Sequence, residues 1–278
     1  MPTQVAYLGP KGTYAEQAAC ALAKLEKLSQ PVFVPYTGLR SVIEHLANKD
    51  CEAAVVPIEN SVEGGVSATL DALWTYPNLY IQRAVVLPIR HALISSGSID
   101  EISEVLSHPQ ALAQCSEWLN INLPNALQLP TNSTSEAVRM VKGSKFRAAI
   151  ASRTSSEIDG VNEIAYPIND VIGNCTRFIL LTDKEENLSG DIASFAFSLH
   201  ANTPGALLKA LKCIADLGLN MNRIESRPSK RELGEYIFFI DIDSKEKSIN
   251  IRDNLKELLD PLCENIVFFG YYKNNQID

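Results

Sequence analysis

At 278 residues the chain exceeds what one ordinary hydrophobic core organises, so two domains are expected. Its 46% hydrophobic and 21% charged content is that of a globular protein, and no apolar run nears the roughly 20 residues that span a bilayer. The net charge of -8 argues against a nucleic-acid binder and against docking on an anionic membrane, so a bound anion must be held locally, by helix N-termini or a few Arg and Lys.

Met1-Pro2-Thr3-Gln4 is not a basic stretch leading into an apolar one, which points to the cytoplasm. Cys20, Cys51, Cys115, Cys175, Cys213 and Cys263 form no CxxC pair, and His45, His91, His108 and His200 lack ligand spacing. Neither a metal nor a disulfide framework is expected.

In chain order, Val5-Leu8 reads as a strand and Gly9-Pro10-Lys11-Gly12 as a turn. Thr13-Tyr14-Ala15-Glu16 is a capping box opening a helix through Leu25. The turn lacks both the GxGxxG and the GK[ST] spacing of nucleotide loops. It serves either as a plain connection or as an anion site at a helix N-terminus. A strand at Val32-Val34, a helix over 39–47 and a buried strand Ala53-Val56 follow, the last running into Pro57-Ile58-Glu59-Asn60-Ser61 and then Gly64-Gly65. Polar groups at such a strand end point into the crevice where open α/β sheets bind ligands. Residues 80–94 read as extended and broken at Pro88, linking two lobes. Strand Ile102-Leu106 ends in Ser107-His108-Pro109-Gln110 and opens a helix over 111–119 that bears Gln114. Asn132-Ser135 caps a helix to Val141, and Ala148-Ser152 is a further strand. Strand and helix alternate in both halves of 1–182, which predicts two α/β lobes facing a cleft. Asn174-Cys175-Thr176-Arg177-Phe178 then opens the apolar strand Ile179-Thr182, setting a hydroxyl and a guanidinium where a loop becomes a strand.

Residues 192–273 read as a separate unit. Ile192-Leu199 is a strand, and a helix over 206–217 is entered through Thr203 as cap and Pro204 at the first position. Strands Met221-Ser226 and Glu235-Asp243, a helix over 251–259 and strand Ile266-Tyr272 complete a ferredoxin-like βαββαβ order. Gly205 stands out within the helix's first turn, where close approach of a ligand or a backbone would explain it.

Taken together, Leu8-Gly9-Pro10-Lys11-Gly12-Thr13, Val56-Pro57-Ile58-Glu59-Asn60-Ser61, Ser107-His108-Pro109-Gln110 with Gln114-Cys115, and Thr176-Arg177-Phe178 resemble prephenate dehydratases across almost the whole chain. The C-terminal unit resembles their ACT regulatory domain through Gly205-Ala206-Leu207-Leu208 and Glu225-Ser226-Arg227-Pro228. The resemblance implies a periplasmic-binding-protein-like catalytic domain over 1–182 and an ACT domain over 192–273. It implies decarboxylative dehydration of prephenate without a cofactor, feedback inhibition by L-phenylalanine, and a homodimer or homotetramer built through the ACT domain. Thr176, Glu59, Asn60, Ser107 and Gln114 match the family's catalytic positions. Lys11, Gly12, Thr13, Ser61, Arg177 and Phe178 fall at its substrate site, and Gly205, Ala206, Leu207, Leu208, Asn220, Glu225 and Ser226 at its phenylalanine site.

The chemistry fits these residue types. Loss of carbon dioxide supplies the electrons that leave with the ring hydroxyl, and aromatisation drives the step, so no coenzyme electron sink is required. The protein must assist the departing oxygen and anchor a dianion. Thr176 suits hydrogen-bond donation to the developing hydroxide in a water-poor cleft. Glu59, if protonated in apolar surroundings, is the rival acid. Arg177 either pairs with a substrate carboxylate or holds the strand end, with Lys11 and the amides of Gly12 and Thr13 as alternative anchors. Arogenate is the alternative substrate. A solute-binding protein shares the architecture, but no secretory signal is read at the start and a βαββαβ unit is appended; a catalytically dead amino-acid sensor is the other alternative, against which Thr176, Glu59 and Gln114 are retained.

Overall fold

The computed structural model describes residues 2–245 and 250–277. The first lobe contains β1 (Gln4–Leu8), α1 (Tyr14–Leu25), β2 (Val32–Tyr36), α2 (Leu39–Ala47), β3 (Ala53–Asn60), the short β4 (Gly64–Gly65), α3 (Ser67–Thr75) and β5 (Tyr80–Pro88). α1 forms because Ala15, Ala18, Ala19, Leu22 and Ala23 recur at helical spacing and all bury. The Thr13 hydroxyl caps the Glu16 amide, but Glu16 reaches back to the Gly12 amide at 2.6 Å, so the expected box closes one residue earlier.

The second lobe contains β6 (Ala92–Ser95), β7 (Glu104–Ser107), α4 (Pro109–Ala113), α5 (Ser116–Asn122), β8 (Leu127–Pro130), α6 (Thr134–Val141), β9 (Arg147–Ala151), α7 (Arg153–Asp159) and β10 (Glu163–Ala165). These strands form a five-stranded sheet in the order β10-β6-β9-β7-β8. The single helix expected over 111–119 is two. Asp170 is the reason: its carboxylate accepts from the Glu117 and Trp118 amides, both at 2.9 Å, and so restarts the helix after Gln114-Cys115. The chain returns to the first lobe in β11 (Cys175–Thr182), antiparallel to both β3 and β5.

The C-terminal unit contains β12 (Ile192–Leu199), α8 (Ala206–Asp216), β13 (Met221–Pro228), β14 (Tyr236–Asp243), α9 (Ile251–Leu259) and β15 (Cys263–Gln276), in the βαββαβ order. Gly205 is the residue that precedes α8, not part of its first turn as expected, and Thr203 is not its cap. Its φ of +81° is a left-handed conformation that glycine adopts without strain. A Cβ there would meet open space, so backbone conformation and not close approach accounts for it.

The units share one sheet and one core. β15 runs past the expected end, and Lys273–Gln276 pair in parallel with Arg83–Val86 of β5. A ten-stranded sheet therefore extends from the first lobe through the C-terminal unit. Alternate residues of β3 point to opposite faces: Ala53 and Val55 join the core under α1, whereas Ala54, Val56 and Ile58 join a core that continues into Ile192, Ile237, Phe239 and Phe269. α8 and α9 cover the other face of the C-terminal sheet. Among the described residues no helix is long and apolar enough to cross a membrane.

Candidate active site

The chain crosses between lobes twice, outward from β5 to β6 and back from β10 to β11. The crossings are bonded to each other: the Ile89 amide donates to the Asn174 carbonyl at 2.8 Å and the Ile168 amide to the His91 carbonyl at 3.0 Å. Beside them lies a cavity of about 470 Å³ between the lobes, lined by Asn60, His91, Gln114, Thr176 and Phe178 among others. That volume suits a small-molecule ligand.

Thr176 enters the cavity with its hydrogen-bond polarity fixed. The Asn60 side-chain oxygen accepts from the Val62 and Glu63 amides at 2.9 and 3.1 Å. Backbone donors thereby orient that carboxamide, and its NH₂ group must donate to Thr176 Oγ1 at 2.9 Å and to Asn174 Oδ1 at 2.9 Å. The Asn174 NH₂ donates onward to Gln114 Oε1 at 2.9 Å, and Gln114 Nε2 donates to the Glu63 carboxylate at 3.0 Å. The Thr176 oxygen thus already accepts a bond while its own proton has no protein acceptor among the described residues. Thr176 is only 8% exposed and lines the cavity.

His91 closes the chain, with Nε2 3.3 Å from Gln114 Oε1. Burial pushes its pKa down to about 4 against the opposing pull of the Gln114 bond, which keeps the ring neutral near neutral pH. No Lys or Arg lines the cavity among the described residues; instead the starts of α1 (Thr13, Tyr14, Ala15) and α6 (Ser133, Thr134) face it. Helix N-termini offer free amides and a positive dipole end, which favour negative charge.

The family model for prephenate dehydratase matches residues 5–186, and that for the ACT domain matches 195–260. The chain belongs to the prephenate dehydratase family. It is 36% identical to a prephenate dehydratase of Lactococcus lactis over 97% of both chains. It is 38% identical to a bifunctional chorismate mutase/prephenate dehydratase of Neisseria gonorrhoeae over 92% of this chain and 71% of that one. A crystal structure of prephenate dehydratase from Arthrobacter aurescens in complex with L-Phe superposes with a TM-score of 0.86 at 33% identity, covering 97% of this chain and 90% of that one. The fold is accordingly the two-lobed, periplasmic-binding-protein-like one, followed by an ACT domain.

Of the residues at which the resemblance to prephenate dehydratases places catalysis, Thr176, Asn60 and Gln114 meet in the cavity; Glu59 and Ser107 do not line it. Ser107 is fully buried and donates to the Ile150 carbonyl at 2.6 Å; the following residues, His108 and Gln110, reach the cavity. Glu59 is turned away by a bulge. β11 pairs Phe178 with Pro57 but Arg177 with Glu59, skipping Ile58. The extra residue reverses the facing of β3 beyond it, so Asn60 joins Thr176 on the cleft side while Glu59 joins Arg177 on the other.

Arg177 consequently does not line this cavity. It pairs with Glu59 and donates to Asp241 of the ACT domain at 3.1 Å. Lys11 is exposed and outside the cavity. The Gly12 amide is spent on Glu16, and its carbonyl accepts from Ser152 and Ser155 of the second lobe at 3.2 and 2.7 Å. With a φ of +86° and a Cβ position 3.2 Å from Ser155 Oγ, Gly12 is a close lobe-to-lobe contact. The Ser61 hydroxyl accepts from the Cys175 amide at 3.0 Å, bracing the loop before Thr176. Thr13 and Phe178 do line the cavity. Sequence reasoning left His91, Glu63 and Asn174 out of the site; their position beside the lobe crossing and before the Thr176 strand was the available signal.

In the ACT domain, Gly205, Ala206, Leu207 and Leu208 line a second cavity of about 310 Å³ at the start of α8, which Asn220, Glu225 and Ser226 do not line. The Glu225 carboxylate instead lies against Gly65, 2.5 Å from where a Cβ would stand.

Proposed function

We propose that this chain converts prephenate to phenylpyruvate, carbon dioxide and water in phenylalanine biosynthesis, with 1–182 as its catalytic domain. The observation that carries the reading is the Thr176 hydroxyl, its acceptor side filled by Asn60 and its proton directed to a ligand. The bond from the ring to its carboxyl carbon breaks, its electron pair enters the ring, and the ring carbon–oxygen bond breaks with its pair on the departing oxygen. Thr176 donates a hydrogen bond to that oxygen as its charge grows; the hydroxide so released takes its proton from solvent to become water, and Thr176 keeps its own. A preorganised donor in a water-poor cleft stabilises such charge strongly. Glu59, paired with Arg177 on the far face of the sheet, has no part in this step. The helix starts at Thr13–Ala15 and Ser133–Thr134 receive the carboxylates.

Arogenate carries an amine where prephenate has a ketone, and the Glu63 carboxylate at the cavity wall is a group that an ammonium would meet. Turnover of both compounds, each with and without L-phenylalanine, tests the proposal. Absence of phenylpyruvate from prephenate would refute it.

L-phenylalanine is the proposed feedback inhibitor, bound where the Gly205–Leu208 amides open the ACT cavity; the Arthrobacter relative in complex with L-Phe supports the choice of ligand. Because Asn220, Glu225 and Ser226 lie away from that cavity, a site using both groups draws them from two chains. Exposed Leu208, Ile224 and Leu233 on the ACT domain suit such an interface, which favours a homodimer or homotetramer. Light scattering with and without phenylalanine tests the assembly.

A further inference from the structure

His91 has no role in the chemistry derived above, yet it is almost wholly buried and reaches the cavity wall. Its backbone is pinned on both sides: its amide donates to Asn169 Oδ1 at 2.6 Å and its carbonyl accepts from Ile168. The Tyr14 ring stands edge-on to the imidazole with centroids 6.2 Å apart. The ring therefore has little freedom.

Its hydrogen bonding is lopsided. Gln114 Oε1 must be an acceptor, because Glu63 takes the NH₂ end and Asn174 donates to the oxygen. His91 Nε2 is then the donor and Nδ1 the bare acceptor, and Nδ1 is buried without a partner. An unsatisfied buried nitrogen costs stability, and a leucine would fill similar space without it. Packing alone gives no reason for the imidazole. The bond to Gln114 does.

We propose that His91 is a positioning residue: its Nε2–H, with the Glu63 carboxylate at the other end, holds the Gln114 carboxamide so that its oxygen receives Asn174, which in turn steadies Asn60 beside the Thr176 hydroxyl. This rests on the dehydratase reading. Turning Gln114 over would present an NH₂ to the NH₂ of Asn174 and an oxygen to the Glu63 carboxylate; Asn174 would shift, and Asn60, whose facing the Val62 and Glu63 amides fix, would lose the side-chain partner that steadies its NH₂ group. His91 guards against that from the end of the chain opposite Thr176.

The test compares wild type, His91→Leu and His91→Gln, the last retaining an N–H donor near the Nε2 position. His91→Leu is expected to lower kcat about ten- to a hundredfold, as misplacement of a reacting group does, with KM little changed and a melting temperature no lower than wild type. His91→Gln is expected to recover most of the loss. Wild-type kcat in the leucine variant, or a glutamine variant as slow as the leucine one, overturns the proposal. Imidazole ¹⁵N spectra of the resting protein supply a readout independent of turnover: a neutral Nε2–H tautomer whose Nε2 resonance moves in Gln114→Ala is expected. An Nδ1–H tautomer, or no response to Gln114→Ala, overturns it. If the wild-type chain fails to turn over prephenate, the functional reading is lost on that arm alone, and the spectra still decide whether His91 holds Gln114.

Discussion

Arg177 Nη1 donates to Asp241 Oδ2 at 3.1 Å, so the strand that aims Thr176 into the cleft is tied, one residue later, to the centre of the ACT sheet. Asp241 is fully buried and also accepts from Arg223 Nε at 2.8 Å and from the Ser194 hydroxyl at 2.6 Å. Burial pushes its carboxyl up, but Arg223, Arg177 and Ser194 more than reverse this and hold it below the usual carboxylate range. Asp241→Asn would leave two buried guanidiniums without their shared countercharge. Removing one partner of a buried ion pair costs on the order of 3–5 kcal/mol, and thermal or urea unfolding at neutral pH should register a loss of that size. The sign with pH follows from the depressed value: the stabilisation is complete above the unfolded carboxyl's pKa of about 3.9 and is lost as pH falls through the lower folded value. Wild type and variant should therefore converge in acid.

A looser tie joins the same two units at the surface. Arg227 and Lys230, at and just beyond the end of β13, both donate to Asp71 of α3, at 3.0 and 2.6 Å. These groups are partly exposed, and pairs of that kind contribute about 1 kcal/mol or less. Asp71→Ala should barely move the melting temperature. Under the proposed regulation it should nonetheless shift the phenylalanine concentration for half-inhibition, because it frees an ACT strand from the catalytic lobe. Unchanged inhibition would show that the buried Asp241 cluster and the shared core carry the coupling alone.

Thr176→Ala removes the donor and should lower kcat by at least about 10²-fold, the scale of losing a group that assists proton transfer or oxyanion charge. Thr176→Ser keeps the hydroxyl and should retain most activity. Steady-state kinetics on prephenate separate the two. Wild-type rates from the alanine variant would remove Thr176 from the mechanism.

Asn60→Asp is a more selective change. An aspartate still accepts from the Val62 and Glu63 amides, so the loop is expected to fold. It cannot donate to Thr176, and the threonine proton would turn to the new carboxylate instead of the substrate. Loss of kcat of about 10²-fold is expected, with some loss of stability because the carboxylate also faces the Asn174 and Cys175 oxygens to which the Asn60 NH₂ donates; a merely structural Asn60 would lose stability and keep its rate.

The lobes, the βαββαβ unit and the Thr176 strand were legible in the sequence because they follow from local patterns: strand periodicity, capping residues and glycine breaks. α1 is visible in its buried alanines and Leu22 alone. Two features were not legible. Strict alternation along β3 puts Glu59 on the same face as Val55, toward the cleft, and only the pairing with β11 exposes the bulge at Ile58 that reverses it. The break at Gln114–Cys115 depends on Asp170, more than 50 residues away in sequence. His91 escaped for a related reason, since its partners Gln114 and Asn169 come from two other segments of the second lobe and the return crossing.

The depressed pKa of His91, from 6.5 to about 4 on burial, makes it a source of acid sensitivity. Between those values the unfolded chain binds a proton that the folded ring refuses, so stability rises with pH across that interval and the contribution is complete above about 6.5. A tenfold difference in proton affinity is worth about 1.4 kcal/mol, so acidification from pH 6.5 to 4 should cost up to about 3 kcal/mol through this ring. His91→Leu has no proton to take up. Its unfolding free energy should fall less steeply than that of wild type over the same interval, whereas Asp241→Asn should alter the curve chiefly below pH 4. Parallel pH profiles for wild type and His91→Leu would mean that the folded ring titrates near its ordinary value and is not held neutral beside Gln114.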